Sequence, residues 1–486
     1  MSLSNPSFIA FFAVVFALFY LLPGGRARLV LLLVTSLGFY AYLSGGYTGV
    51  LLAIIAATYA GGLALQEPAQ GRRRRTIFIA ALLGVLAPLI IFKYSAFLCD
   101  AVGLGTPRFV EWLVLPVGLS YFTFAAIGYL IDVNLSLTAA ERNPLRLGLF
   151  VSFFPLVTSG PIERGGRLLP QLNLASPFSA DRAFAGLRLI FIGLVLKVLF
   201  ADALATPVAA IFGEPEGSLP LEKLFAVIVF PFNLYADFAG YSLIAIGCAK
   251  MLGIEVQPNF RQPFLSQSIP EFWRTWHMSL SFWVRDYLFT PLRAHWRRSR
   301  HLGLIGPTIL SFFIIGLWHG AGWPFVILGI AFGVLAVSSL YTMKYRDAIY
   351  TWLGVPKLMI HIIRAMITFA LFALVLVLFR ANYLDDALLF YRDIFSLGML
   401  DNLWTAVSAG LFHHGAPLEL PVASANWGAW FLIMALVAGD ILVRNGYTLE
   451  RCPVWLQVIT YNVGLGAIVY QWMTSSIAPP FLYYKF

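Results

Sequence analysis

The chain has 486 residues, 60% of them hydrophobic and 12% charged, with a formal net charge of +10. So apolar a composition excludes an ordinary soluble domain. The excess of Lys and Arg lies in loops beside apolar spans, as expected of cytoplasmic loops in a membrane protein, and this excludes a nucleic acid as the partner.

Apolar spans recur along the chain at 8–22, 29–43, 47–65, 76–98, 112–131, 145–160, 183–201, 222–249, 303–318, 323–343, 359–380, 426–443 and 456–474. Each approaches the length that crosses about 30 Å of hydrocarbon. The shorter ones suit re-entrant segments, which are stable only where protein or water shields the backbone. The pattern predicts an all-α polytopic membrane protein with about 11–13 membrane helices in a single domain over 1–486. The first segment lacks a basic n-region and is followed by another span, so it reads as a retained helix rather than a signal peptide. Arg72 to Arg75 and the cluster Arg293, Arg297, Arg298 and Arg300 predict the cytoplasmic face, in contact with anionic membrane lipids. Met1–Ser7, one span away from Arg26 and Arg28, is then extracytoplasmic. Cys99, Cys248 and Cys452 are too scattered for a disulfide framework or a Cys-based metal site.

The longest polar interval, Lys250–Gly303, is divided by Pro258, Pro263, Pro270 and Pro291. Within it Ser268-Ile269-Pro270-Glu271 reads as a helix start, with Ser at the cap and Glu three residues on. Trp273, Trp276, Leu280, Trp283, Tyr287 and Leu288 follow at helical spacing, with Arg274, Arg285 and Asp286 off that stripe. This predicts an amphipathic helix over 270–289 lying in the membrane interface, indoles down. Residues 381–425 read as a polar surface loop.

From Leu302 to Met343 the chain carries no Asp, Glu, Lys or Arg, and His319 stands in this run within Gly316-Leu317-Trp318-His319-Gly320-Ala321-Gly322-Trp323. An ionisable group at membrane depth is a candidate functional site, and imidazole exchanges its proton near neutral pH. The glycines let a backbone or a ligand approach closely. The alternative is a core histidine bonded to a carbonyl. His277 forms a second Trp-His pair, in Trp273-Arg274-Thr275-Trp276-His277, for which an interfacial residue is the alternative. Asp237, inside an apolar span between Tyr235 and Tyr241, either pairs or faces a cavity. Pairing or snorkelling suits Lys197 and Arg380. Glu163-Arg164 after Gly160-Pro161 marks a helix end or a funnel wall. His413-His414 is a weak metal signal, and no metal site is expected. His295 and His301 belong to the arginine-rich face. G-x-S-x-G, Walker A and H-E-x-x-H motifs are absent.

Taken in order, Leu115-Pro116-Val117-Gly118, Ser152-Phe153-Phe154-Pro155, Gly160-Pro161-Ile162, Asp237-Phe238-Ala239-Gly240-Tyr241-Ser242, Pro258-Asn259-Phe260, the Glu271–Leu292 segment, Gly316 to Ala321, Leu378-Phe379-Arg380-Ala381 and Phe481 to Phe486 resemble the membrane-bound O-acyltransferases. The likeness is to the bacterial branch of alginate O-acetylation and teichoic-acid D-alanylation. It implies a ring of helices around a thinned central funnel, His319 as the membrane-embedded catalytic histidine and His277 as the second characteristic position. Relatives often carry Ser and Asp where this chain has Ala239 and Leu243, and Gly-Gly-Asn where it has Arg293-Ala294-His295.

By that resemblance the expected activity is acyl transfer, most simply of an acetyl group, from a cytosolic thioester such as acetyl-CoA. The acceptor is a hydroxyl of a periplasmic partner protein, an exopolysaccharide or a cell-wall glycan. No permanently bound cofactor is expected, and the setting is a bacterial inner membrane. His319 is the general base and His277 a second catalytic candidate; Trp318 and Trp323 hold the His319 ring; Trp318, Trp276, Arg274, Asp237 and Tyr241 are candidate substrate-binding residues. A proton-coupled transporter is the rival reading, since a lone intramembrane His and Asp also suit a carrier.

Overall fold

The computed structural model describes residues 2–66, 71–299, 301–399, 401, 427–474 and 482. Within them every regular element is helical. Among the described residues, eight helical segments are long and apolar enough to cross a membrane: Arg26–Gln66, Gly71–Ala101, Ala180–Gly213, Pro220–Met251, Leu302–His319, Trp323–Trp352, Lys357–Arg380 and Trp427–Arg444. The protein is thus a multi-pass membrane protein. The first of these segments breaks at Gly45–Tyr47 into two helices of 19 residues each. Two spans expected from hydropathy are short instead. The first becomes the 16-residue helix Leu119–Asn134, buried on nearly every side. The second becomes the nine-residue helix Pro144–Ser152, followed by a buried non-helical stretch through Glu163. Their apolar character reflects burial in protein on all faces, which hydropathy cannot tell from lipid contact.

The centre of the molecule is Pro220–Met251, whose apolar window is 89% buried. It crosses Ala180–Leu194 almost backbone to backbone. A Cβ on Gly193 would lie 2.6 Å from the Gly240 carbonyl oxygen, and one on Gly186 would lie 2.6 Å from that of Gly247. Small residues two turns apart on both helices give this approach, the usual way apolar helices gain packing in lipid. The π-helical stretch Val195–Ala201 continues the same crossing. It brings Lys197 Nζ within 2.7 Å of Asp202 and 2.8 Å of Asp237, so that three charges are buried together. Asp237 also accepts the Leu482 backbone N–H.

The expected interfacial helix over 270–289 is interrupted. Ile269–Phe272 is a single turn, residues 273–277 leave the helix, and Met278–Val284 starts again before a π turn through Phe289. Trp273, Trp276 and Trp283 are buried in protein rather than laid on lipid. The reason is Asn259. Its carbonyl accepts the Met278 N–H and its side chain the Ser279 N–H, so the new helix is capped from another loop. Irregular backbone at membrane depth survives only with partners of this kind. The Ser268 side chain accepts the Glu271 N–H as expected, but Glu271 reaches the Gln267 N–H instead of closing a capping box.

Arg74, of the first basic cluster, and the Arg164–Asp286 pair both lie near one end of Leu119–Asn134. Arg74 donates to the carbonyls of Val133 and Asn134. Asp132 accepts the Tyr287 hydroxyl at 2.9 Å, and Arg164 pairs with Asp286 at 2.6 Å. Glu163 Oε1 accepts the Gln257 N–H at 2.6 Å. Glu163-Arg164 therefore braces the 257–287 region instead of forming a bare funnel wall.

Candidate active site

His319 is the last residue of Leu302–His319 and is 5% exposed. Its ring packs against Trp318, with centroids 4.9 Å apart, and against Phe379 at 5.2 Å. The neighbouring glycines set its position through helix contact. A Cβ on Gly316 would strike the Phe325 carbonyl oxygen and lie 2.8 Å from the Gly329 Cα, and one on Gly320 would enter the Phe325 ring. They serve the crossing of Leu302–His319 with Trp323–Trp352, rather than leaving space for a ligand. Trp323 opens the second helix, is 58% exposed and packs against Phe97 at 5.7 Å. It does not hold the His319 ring, contrary to the expectation from sequence, because the turn at Gly320–Gly322 carries it outward.

His277 is fully buried and has φ +42°. A non-glycine residue in that region costs roughly 1–3 kcal/mol, which the surrounding structure must offset. Here Asn259 does so. Asn259 Oδ1 receives the Ser279 backbone N–H at 3.2 Å and the Ser279 hydroxyl at 2.9 Å, and lies 3.1 Å from His277 Nδ1. Since the backbone N–H can only donate, this atom is the amide oxygen, and His277 Nδ1 donates to it. Nε2 is then the nitrogen able to accept a hydrogen bond in the neutral ring. Asn259 Nδ2 in turn donates to Ser242 Oγ at 3.1 Å. The His277 ring packs edge-on to Phe238 at 4.7 Å and to Trp318 at 5.5 Å. The two histidines, distant in sequence, thus share one indole, that of Trp318. Tyr121 closes the other flank of Trp318 at 5.3 Å.

A cleft of about 590 Å³ lies beside this cluster, lined by its chain neighbours and not by His277, Trp318 or His319 themselves. Arg261, Arg274 and Arg285 line it, as do Met278, next in the chain to His277, and Ile315, one turn before His319. Trp273 and Ser311 also line it, and the indole Nε1 and the hydroxyl Oγ are buried with no hydrogen-bond partner among the described residues. Buried polar atoms of this kind suit a ligand that carries carbonyl or amide groups. A second cavity of about 1070 Å³ shares Leu304 and Leu340 with the cleft and carries Arg293, Arg297, His301 and Lys344 on its wall. At the rim, burial alone would raise the Asp286 carboxyl, but Arg285 and Arg164 hold it below the ordinary carboxylate range.

Of the other sequence candidates, Arg274 is exposed in the cleft. Trp276 is buried among Phe260, Phe272 and Phe372 and anchors the loop. Tyr241 is fully buried and hydrogen-bonds Thr158. Asp237 lies in the Lys197 cluster. Neither of these two lines the cleft. Arg380 stands over the Phe212 ring at 5.4 Å. His413, His414 and Arg300, most of the 381–425 loop and the Phe481–Phe486 motif apart from Leu482 lie outside the described residues. Among the described residues no group of three or more His, Cys, Asp or Glu side chains is placed to hold a metal ion. Asn259 is the site residue that sequence reasoning left without a role. Its place in Pro258-Asn259-Phe260 was the signal that could have found it.

Residues 112–379 match the model of MBOAT, the membrane-bound O-acyltransferase family. The chain is 34% identical over 405 residues to the probable alginate O-acetylase AlgI of Azotobacter vinelandii, covering 81% of this chain and 78% of that protein. It is 31% identical over 386 residues to the peptidoglycan O-acetyltransferase of Helicobacter pylori (74% and 72% covered). To the teichoic acid D-alanyltransferase of Bacillus subtilis it is 30% identical over 284 residues (57% and 71%). With His277, His319, the cleft and the chain's central helices all inside the matched segment, the chain belongs to the membrane-bound O-acyltransferase family.

Proposed function

We propose that the protein transfers an acyl group, most simply acetyl, from a cytosolic thioester such as acetyl-CoA to a hydroxyl presented from the opposite side of a bacterial inner membrane. The basic face is cytoplasmic and the N-terminus extracytoplasmic. The acceptor is a polysaccharide or cell-wall glycan, reached directly or through a periplasmic protein. The observation that carries the reading is the packing of His277 and His319 on one indole beside a cleft with a basic rim.

The thioester arm lies in the cleft with its phosphates toward the arginines. The acceptor oxygen comes within about 2.6–3.2 Å of a His319 ring nitrogen, which takes its proton. The oxygen attacks the thioester carbonyl carbon, the C–S bond breaks, and the proton passes from the imidazolium to the departing sulfur. Trp318 Nε1, buried without a partner among the described residues, donates to the developing oxyanion. His277, held by Asn259, orients the donor carbonyl. Relatives named for O-acetylation of alginate and peptidoglycan support an acetyl cargo.

The test is labelled acetyl-CoA supplied to the detergent-purified protein with a soluble oligosaccharide or partner acceptor. Covalent label on the acceptor is the expected result. Saturable binding of label with no covalent product would favour a carrier and overturn the proposal.

A further inference from the structure

A helix leaves its last carbonyls without N–H partners from a following turn. At the end of Leu302–His319 those carbonyls belong to the residues around the proposed base, and two consecutive side chains from a distant helix meet them. The Tyr94 hydroxyl donates to the Leu317 carbonyl at 2.8 Å. Lys93 Nζ donates to the Trp318 carbonyl and lies 3.4 Å from that of His319. The ammonium is also 5.9 Å from the centroid of the Trp318 ring. Both residues sit on a π-helical turn, Ile90–Tyr94, in a stretch that carries no other charged residue from Thr76 to Cys99. Such turns re-aim side chains and recur at functional sites. A cation at a helix C-terminus also opposes the negative end of the helix dipole. Lys93 is therefore not a residue snorkelling toward water: its charge is spent on the backbone that carries His319. Both residues lie before residue 112, outside the segment that the family model matches.

We infer that Lys93 and Tyr94 form a positioning clamp for the proposed base: by fixing the carbonyls of Leu317, Trp318 and His319 they fix the direction in which the imidazole and the indole project. The clamp touches neither donor nor acceptor. Its loss acts on the chemical step and leaves donor binding intact, because the cleft is lined by other side chains. This inference rests on the assignment of His319 as the base.

The experiment compares steady-state transfer by full-length wild type, Lys93→Met, Tyr94→Phe and His319→Ala in detergent, with donor binding and thermal unfolding measured on each preparation. Lys93→Met is expected to lower kcat about 10- to 100-fold, the scale of an ångström-level misplacement, with donor KM unchanged. Tyr94→Phe, which removes one hydroxyl and no charge, is expected to lower kcat about threefold to tenfold and keeps the test open if Lys93→Met does not fold. A wild-type kcat in the folded variants, or a loss expressed only in KM, overturns the clamp. A wild-type rate in His319→Ala would instead overturn the assignment on which the clamp rests.

Discussion

Asn259 Oδ1 lies 3.1 Å from His277 Nδ1 and takes two further hydrogen bonds from Ser279. One amide oxygen thus orients the imidazole and starts the helix that follows it. Asn259→Ala leaves the Ser279 N–H and the ring nitrogen without this acceptor, at about 1–3 kcal/mol for each buried group stranded. It is expected to lower both the thermal midpoint and kcat. Asn259→Asp keeps the acceptor, loses the donation to Ser242 and adds a buried carboxylate beside His277. Its kcat should stay well above that of the alanine variant, and equal kcat in the two would refute the orienting role.

Gly316 and Gly329 allow the two helices around His319 to touch. Gly316→Ala forces a methyl into the Phe325 carbonyl, at about 1–3 kcal/mol of overpacking, and shifts the histidine. Activity per folded molecule, measured by acceptor labelling, should fall at least tenfold. Gly213, whose Cβ would meet nothing within 4 Å, serves as the control, and Gly213→Ala should leave activity unchanged.

Trp318 is expected to contribute its indole N–H to the transition state rather than to donor binding. Trp318→Phe preserves most of the edge-on ring packing against His277 and His319 and removes the donor. A fall of about 10²-fold in kcat with little change in donor KM is the expected signature. A purely packing role would show in the thermal midpoint and leave kcat untouched.

The rim of the cleft should behave in the opposite way. Arg274→Ala is expected to raise the KM for acetyl-CoA about threefold to tenfold, through loss of a charge-assisted contact, with kcat preserved. Added salt should mimic the effect in wild type and have less effect in the variant.

Lys197, Asp202 and Asp237 form a buried cluster away from the cleft. Lys197→Met strands two carboxylates, and breaking a buried pair costs about 3–5 kcal/mol. The expected outcome is a large loss of folded protein in the membrane, with the surviving fraction still active. A proton-carrying role would instead abolish transport or transfer without destabilising the protein.

Several of these relationships were legible in the sequence. The apolar spans point to an all-α membrane protein and the charge-free run around His319 to a functional site in it, the ordered family motifs add the acyltransferase reading, and Lys197 does find the partners that its burial required. The break at His277 was not legible. The indole spacing from Trp273 to Trp283 fits a helix, and only a loop packed from elsewhere, carrying Asn259, makes the interruption favourable. The glycines beside His319 were ambiguous for a related reason: tight packing and ligand access call for the same residue. Lys93 gave no signal, since a lone Lys near the end of an apolar span looks like ordinary snorkelling. Hydropathy also counted Leu119–Asn134 as an ordinary span, although protein covers nearly all of it.

The most direct test of the central claim is the acyl-transfer rate of His319→Ala, matched to wild type in membrane level and donor binding. The account predicts that labelled acetyl-CoA still binds while transfer to the hydroxyl acceptor falls by at least about 10²-fold, the contribution expected of a positioned base. Transfer at the wild-type rate would contradict it.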